Sequence, residues 1–128
     1  MIRTIDIKAR RDDMLVGTLE TDSPLTQAFP PGSIVVVKPK GQDARSDMSL
    51  GTLRQEWATF QKTVPEIYKQ AASSQVEINP LGTIDSLRHR IAEALGLPAE
   101  ALELRLPGQQ AVNPKAKVAT FLSQWKID

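Results

Sequence analysis

The chain offers few residues whose types and spacing could do covalent or acid–base chemistry. It contains one histidine, His89, and no cysteine, which leaves no thiolate nucleophile, disulfide, thiolate-held metal or iron–sulfur cluster. A zinc site needs several His or Cys ligands, and a single histidine does not supply them. The carboxylates are scattered, and no acid–base pair stands out among them. We therefore expect no enzymatic activity, no catalytic residue, no metal and no cofactor.

Glycine-containing polar stretches could instead bind phosphate. "GTLETD" (17–22) and "GQDARSD" (41–47) lack the Walker spacing with its Lys-Ser/Thr end. The net charge is +1, and the basic pair Arg10-Arg11 is followed by two aspartates, which gives no case for nucleic acid. No apolar run approaches the roughly 18 residues of a membrane span, and the first residues do not resemble a signal peptide. A soluble, cytoplasmic protein is expected.

The first third of the chain reads as strands. "IRTIDIKA" (2–9) alternates apolar and polar residues, and "MLVGTLET" (14–21) follows a polar turn, so the pair predicts a hairpin with a bulge at Gly17. "SIVVVKPK" (33–40) has four consecutive β-branched residues, which is typical of a central strand covered on both faces.

The middle of the chain predicts a helix after a linker. Residues 41–49 are polar and read as the linker. A capping box of Thr52 and Gln55 would begin a helix over 52–64, and residues 65–74 can add two more turns. One helix face carries apolar residues at Leu53, Trp57, Phe60 and Val64.

The last third alternates strand and helix. "QVEINP" (75–80) predicts a strand, and "TIDSLRHRIAEALGLP" (83–98) predicts a helix with Thr83 as its N-cap and Gly96 at its end. "ALELRLPGQQ" (101–110) predicts a strand that runs into a turn. The helix has one apolar face, made of Ile84, Leu87, Ile91 and Leu95.

Taken together, residues 76–110 resemble ubiquitin without a gap, from its second strand through its helix to its third strand and turn. Residues 121–127 resemble its late 3₁₀ segment, with Trp125 in place of a buried tyrosine. The resemblance implies an α+β fold of the ubiquitin-like β-grasp type, with a mixed sheet packed on one helix. The span from residue 76 to residue 127 is about 40% of the chain, and the remainder would be an elaboration with an N-terminal β-rich segment and an extra helix.

The resemblance leaves the first and last strands of the β-grasp sheet unaccounted for. Strands without neighbours would leave backbone groups unpaired, so we expect residues 1–45 to complete the sheet. In particular, residues 34–37 are predicted to lie in the sheet that holds Val76–Asn79. The alternatives are strands from a partner chain or a truncated sequence. The predicted organisation is a β-rich segment (1–45), an amphipathic helix region (46–74) and a ubiquitin-like core (75–128).

The resemblance also bears on function. Conjugation of ubiquitin needs a Gly-Gly tail, whereas this sequence ends Lys126-Ile127-Asp128, so we expect a non-conjugated module that binds another protein, as an adaptor or small subunit. Ubiquitin's main surface centres on an exposed isoleucine of its third strand, and Arg105 occupies that position here. The alternatives are a modifier that lacks its tail, as fragment or precursor, and an accessory subunit of an enzyme or secretion complex. The residues expected to contact a partner are Arg105, Gln109 and Gln110.

Overall fold

The computed structural model describes residues 3–7, 13–21, 26, 28–30, 32–64, 75–108 and 110–126. They form an α+β structure. Its helices and strands follow the order β1 (Arg3–Asp6), α1 (Val16–Thr21), β2 (Ile34–Val36), α2 (Leu50–Phe60), β3 (Gln75–Ile78), α3 (Ile84–Leu95), β4 (Leu102–Leu104) and α4 (Val118–Gln124), with a 3₁₀ turn at Ala99–Ala101.

Each strand of the amino-terminal half pairs with a strand of the carboxy-terminal half. Strand β1 is antiparallel to β3, with Ile5 opposite Val76, and β2 is antiparallel to β4, with Ile34 opposite Leu104. The described strands form two separate two-stranded sheets. The prediction that residues 34–37 share a sheet with Val76–Asn79 is therefore wrong, because β2 is hydrogen-bonded to β4 instead.

The edge of β2 that faces away from β4 is already occupied at Val36, which explains why no described strand pairs with it there. Its N–H donates to Glu20 Oε2 at 3.0 Å, and its carbonyl accepts from the Ala44 N–H at 2.9 Å. A side chain and a loop thus satisfy the backbone groups that a third strand would need at this residue. The neighbouring Val37 N–H points the other way and donates to the Ala101 carbonyl.

Residues 16–21, predicted as the second strand of a hairpin, form helix α1, and the partner of β1 is β3. Val16 and Leu19 are fully buried, three positions apart as on one helix face. A Cβ at Gly17 would lie 2.8 Å from the Ser46 Cβ, and the Gly17 N–H donates to the Ser46 carbonyl at 2.9 Å. Gly17 therefore allows a close approach between backbones, and the predicted bulge is wrong.

The N-cap of helix α2 lies three residues earlier than predicted. It is Ser49, whose hydroxyl accepts from the Thr52 N–H at 3.2 Å, so the capping box proposed at Thr52 is wrong. Residues 41–49 form turns and two isolated bridges, Val37 with Asp43 and Leu15 with Ser49, rather than an extended linker. The Leu50 N–H donates to the Met14 carbonyl. The extra turns predicted for residues 65–74 lie outside the described residues.

Only part of the predicted apolar face of α2 lies in the core. Leu53 and Trp57 are buried, whereas Phe60 is 60% exposed and Val64 is 55% exposed. Leu50, which the earlier start brings into the helix, and Ala58 complete the apolar part of the buried face. The end of α2 therefore presents an aromatic side chain to solvent, which becomes important for the site described below.

Helix α3 confirms the capping signals read from the sequence. The Thr83 hydroxyl accepts from the Ser86 N–H, and Gly96 has φ of 72° at the helix end. The predicted apolar residues are all buried, and α3 packs against β3 and β4. The described residues share one apolar core, to which both halves of the chain contribute: Val16, Val36, Trp57, Val76, Ile91 and Phe121 are among its members.

Arg54 is a fully buried cation at the junction of α2 and α3. Its Nη2 donates to the Leu95 carbonyl at 2.6 Å, and its Nε donates to the Gly96 carbonyl at 3.2 Å. The last carbonyls of a helix carry partial negative charge and have no partner within the helix, so a guanidinium both neutralises and satisfies them. Nothing in the apolar pattern of the sequence indicates this contact.

We predict that Arg54→Ala lowers the free energy of unfolding by about 3 kcal/mol, because it leaves a cavity and unpaired carbonyls. Arg54→Met should cost less, since it restores the apolar stem without the hydrogen bonds. Urea denaturation measures both changes. Arg90→Ala, at an exposed arginine of α3, is the control and should change stability by no more than about 0.5 kcal/mol. A loss at Arg54 no larger than the control would contradict this role.

Candidate partner-binding groove

Arg105, expected on an exposed binding surface, is held by two carboxylates. Its Nη2 and Nη1 donate to Asp43 Oδ1 at 2.6 Å and Oδ2 at 3.1 Å, and its Nε donates to Glu103 Oε1 at 2.9 Å. The side chain is only 13% exposed. At the position where the resemblance implies an exposed side chain, two neighbouring acids therefore already bind the guanidinium, in a bidentate and a single contact.

The other predicted contact residues lie in the turn that follows. Gln110 is exposed, and its carbonyl accepts from the Leu106 N–H at 2.8 Å, which closes the turn after Arg105. Gln109 lies outside the described residues. His89 is exposed on α3, with its Nε2 3.6 Å from Asp85 Oδ2. Arg105 and Gln110 therefore flank one turn, but only Gln110 presents its side chain openly to solvent.

The charges around Arg105 shift the titration of its neighbours. The hydrogen bond from Arg105 lowers the pKa of Asp43, and Asp43 with Glu103 raises the pKa of Arg105 further above its ordinary value. Burial raises the pKa of Glu20, opposed in part by the hydrogen bond from Val36 and reinforced by the Asp43 charge. Burial thus disfavours the ionised form of Glu20, whereas Arg105 favours the ionised form of Asp43.

The contact between Arg105 and Asp43 fixes a hairpin that we call the 37–43 hairpin. Val37 and Asp43 form an antiparallel bridge, and the Lys38 N–H donates to the Gln42 carbonyl at 2.7 Å. Gly41 supplies the positive φ of 87° that the turn requires. Arg105 therefore positions this hairpin from a residue 62 places away in sequence.

A groove lies between the tip of this hairpin and helix α2, and we call it the α2 groove. Its volume is about 540 Å³, and it is lined by Lys38, Pro39, Lys40 and Gln42 on one side and by Gln55, Glu56, Thr59 and Phe60 on the other. Trp57 joins the two walls, because its Nε1 donates to the Val37 carbonyl at 3.0 Å. The Trp57 and Phe60 rings meet edge to face at 5.8 Å.

The lining charges of the α2 groove are only partly neutralised. Lys38 Nζ lies 3.7 Å from Glu56 Oε1, whereas Glu56 Oε2 is buried and has no hydrogen-bond partner. Within the described ranges, no carboxylate lies at ion-pair distance from Lys40, which is exposed. The groove thus combines an exposed aromatic ring, an unpaired ammonium group and a buried acceptor that lacks a donor.

This groove was not predicted from the sequence. Lys38 with Lys40 is a visible basic pair, but the apolar spacing placed Phe60 in the core. The contact of Asp43 with Arg105 has no local signal, since it joins a loop to a distant strand end. The Pro39-Lys40-Gly41 run is a turn signal that could have indicated the hairpin.

Comparison of the chain with known proteins gave no match to a protein-family model, to a curated protein or to a solved structure. Within the described part of the chain, no three His, Asp or Glu side chains are grouped so that they could hold a metal ion. None of the described helices has the length and apolar character needed to cross a membrane.

We predict that Glu20→Gln stabilises the protein near pH 7. Because burial raises the pKa of Glu20, the folded chain binds this proton more tightly than the unfolded chain. The resulting stability is complete below the unfolded pKa and is lost as the pH rises through the folded pKa. Glutamine keeps an acceptor for the Val36 N–H without the cost of burying a charge, so its advantage should disappear below the ordinary carboxyl pKa of about 4.3.

Urea denaturation of both proteins at neutral and acidic pH measures this difference. Glu20→Ala is the control, because it leaves the Val36 N–H unpaired and should be less stable than wild type at both values. A Gln variant less stable than wild type near pH 7 would contradict the assigned burial cost.

We also predict that Arg105 and Asp43 are energetically coupled by roughly 1 kcal/mol, the upper range for a partly exposed pair with bidentate geometry. A double-mutant cycle of Arg105→Gln and Asp43→Asn measures this coupling. Amide exchange at Gly41 and Ala44 should accelerate in each single variant, because both amides belong to the turn and base that the pair holds. Arg45→Gln, which disrupts an exposed ion pair with Asp47, is the control. Additive effects of the two changes would refute the coupling.

Proposed function

We propose that this chain is a non-conjugated protein-binding module of the β-grasp type, acting as an adaptor or as a small subunit of a larger complex. The ubiquitin-like segment lacks two strands, and the structure pairs one N-terminal strand with each of its strands, β1 with β3 and β2 with β4. These pairings support the idea that the amino-terminal half completes the fold around α3. No catalytic role is part of the proposal.

The observation that carries the functional part of the proposal is Phe60 at the rim of the α2 groove. An aromatic side chain 60% exposed beside a concave, mainly apolar surface is costly in water and is typical of an anchor in a protein interface. It lies one turn from Trp57, which is buried and hydrogen-bonded, so the rim is supported by a fixed part of the helix.

In this proposal Arg105 holds the hairpin wall of the groove rather than contacting the partner. A partner that bound the guanidinium would have to displace Asp43 or Glu103, which form short hydrogen bonds to it. Gln110, in the turn after β4, is exposed, so among the described residues expected to contact a partner it is the one still open to that contact.

The test is a selection of random displayed peptides on the wild-type chain, followed by affinity measurements on variants. Peptides that enrich should bind Phe60→Ala at least about tenfold more weakly, as expected for loss of an aromatic anchor. Leu81→Ala is the matched control, because Leu81 is 79% exposed and lies outside the groove, and it should leave affinity unchanged. Enriched peptides that bind Phe60→Ala as well as wild type, or the absence of enrichment, would refute the proposal.

A further inference from the structure

We propose that the α2 groove takes a peptide segment of a partner protein in which an apolar side chain is flanked by carboxylates. This inference rests on the proposed function and adds the chemistry of the occupant. Three features define that chemistry: the unpaired lysines Lys40 in the groove and Lys62 just after α2, the buried oxygen of Glu56 and the exposed ring of Phe60.

The lysines define the charge of the occupant. The ammonium of Lys38 is already shared with Glu56, whereas Lys40 is exposed on the same turn, and Lys62 is exposed two residues after Phe60. Within the described residues, neither Lys40 nor Lys62 has a carboxylate at ion-pair distance. The two ammonium groups therefore lie on the hairpin and at the end of α2, and they favour a negatively charged partner segment.

Glu56 defines where that negative charge can lie. Its Oε2 is buried without a hydrogen-bond partner, so a second carboxylate beside it would be repelled, whereas an N–H or hydroxyl donor would satisfy it. The backbone of a peptide supplies such a donor. The acidic side chains of the occupant should therefore contact Lys40 and Lys62, and its backbone should pass Glu56.

Phe60 and the mainly apolar groove define the anchor. An aliphatic or aromatic side chain inserted beside Phe60 would bury the exposed ring and the Pro39 surface. A nucleic acid fits this surface less well, because the Glu56 carboxylate repels phosphate and the chain as a whole carries a net charge of only +1.

The experiment uses fluorescein-labelled synthetic peptides and the full chain. One peptide has Leu and Phe flanked by Glu and Asp, a second replaces the acids with Lys, a third replaces Leu and Phe with Ser, and a thymidine oligonucleotide is the fourth probe. Fluorescence anisotropy should show that the acidic, apolar peptide binds at least about tenfold more tightly than each of the others. Its affinity should fall as the salt concentration rises.

Charge-reversal variants assign the site. Lys40→Glu should weaken binding of the acidic, apolar peptide by about tenfold, whereas Lys115→Glu, an exposed lysine outside the groove, should leave it unchanged. Glu56→Gln should tighten binding, because the amide keeps one acceptor oxygen for the backbone N–H of the peptide while it removes the charge that repels the acidic side chains and frees Lys38. A gain of affinity cannot result from loss of folding, so this variant keeps the test decisive.

The outcomes separate the two proposals. If groove-dependent peptides bind Lys40→Glu as well as wild type, or if the basic peptide or the oligonucleotide binds more tightly, the assigned occupant is wrong while a binding role for the groove stands. If no peptide loses affinity on Phe60→Ala, the proposed function itself is wrong, and the occupant is overturned with it.

Discussion

The buried contact of Arg54 with the end of α3 is the constraint on which the position of α2 depends. A guanidinium inside the core is tolerated only where acceptors surround it, and the Leu95 and Gly96 carbonyls are such acceptors because α3 ends there. Gly96 is favoured at this point by its φ of 72°, and a Cβ there would also make a tight contact of 3.2 Å with Arg54 Nε. With Arg54 fixed, Trp57 on the next turn lies against Val37. Phe60, one turn further, therefore lies at the groove rim.

A second constraint acts on strand β2. Its two edges have different hydrogen-bond partners. Strand β4 pairs with one edge, and on the other edge Val36 donates to the Glu20 carboxylate and accepts from the Ala44 N–H. The Glu20 carboxylate accepts that hydrogen bond at a cost, because burial raises its pKa. Helix α1 and the loop after the 37–43 hairpin thus take positions that a further strand would occupy. The hydrogen bond between Val36 and Ala44 also closes the base of the 37–43 hairpin. The same contact therefore caps the edge of β2 and positions one wall of the α2 groove.

The parts of the structure that could be predicted from the sequence are those with local causes. Thr83 and Gly96 mark the ends of α3 by their own side chain and backbone, and β3 follows from alternation. Residues 16–21 were misread because Val16 and Leu19 fit the three-residue spacing of a helix in a segment too short for a clear period. Arg54 and the pair of Arg105 with Asp43 could not be predicted, since each joins positions that are distant in sequence. The groove was missed for the same reason, because its walls come from two such segments.

The resemblance and the groove bear on each other through Arg105. Under the proposed resemblance, Arg105 stands at the position of an exposed isoleucine in ubiquitin. Its guanidinium contacts Asp43, from the hairpin that follows β2. The tip of the same hairpin forms one wall of the α2 groove. Under the proposed function, Arg105 thus acts on the groove from a distance, because by holding Asp43 it fixes the loop that carries Lys38 and Lys40.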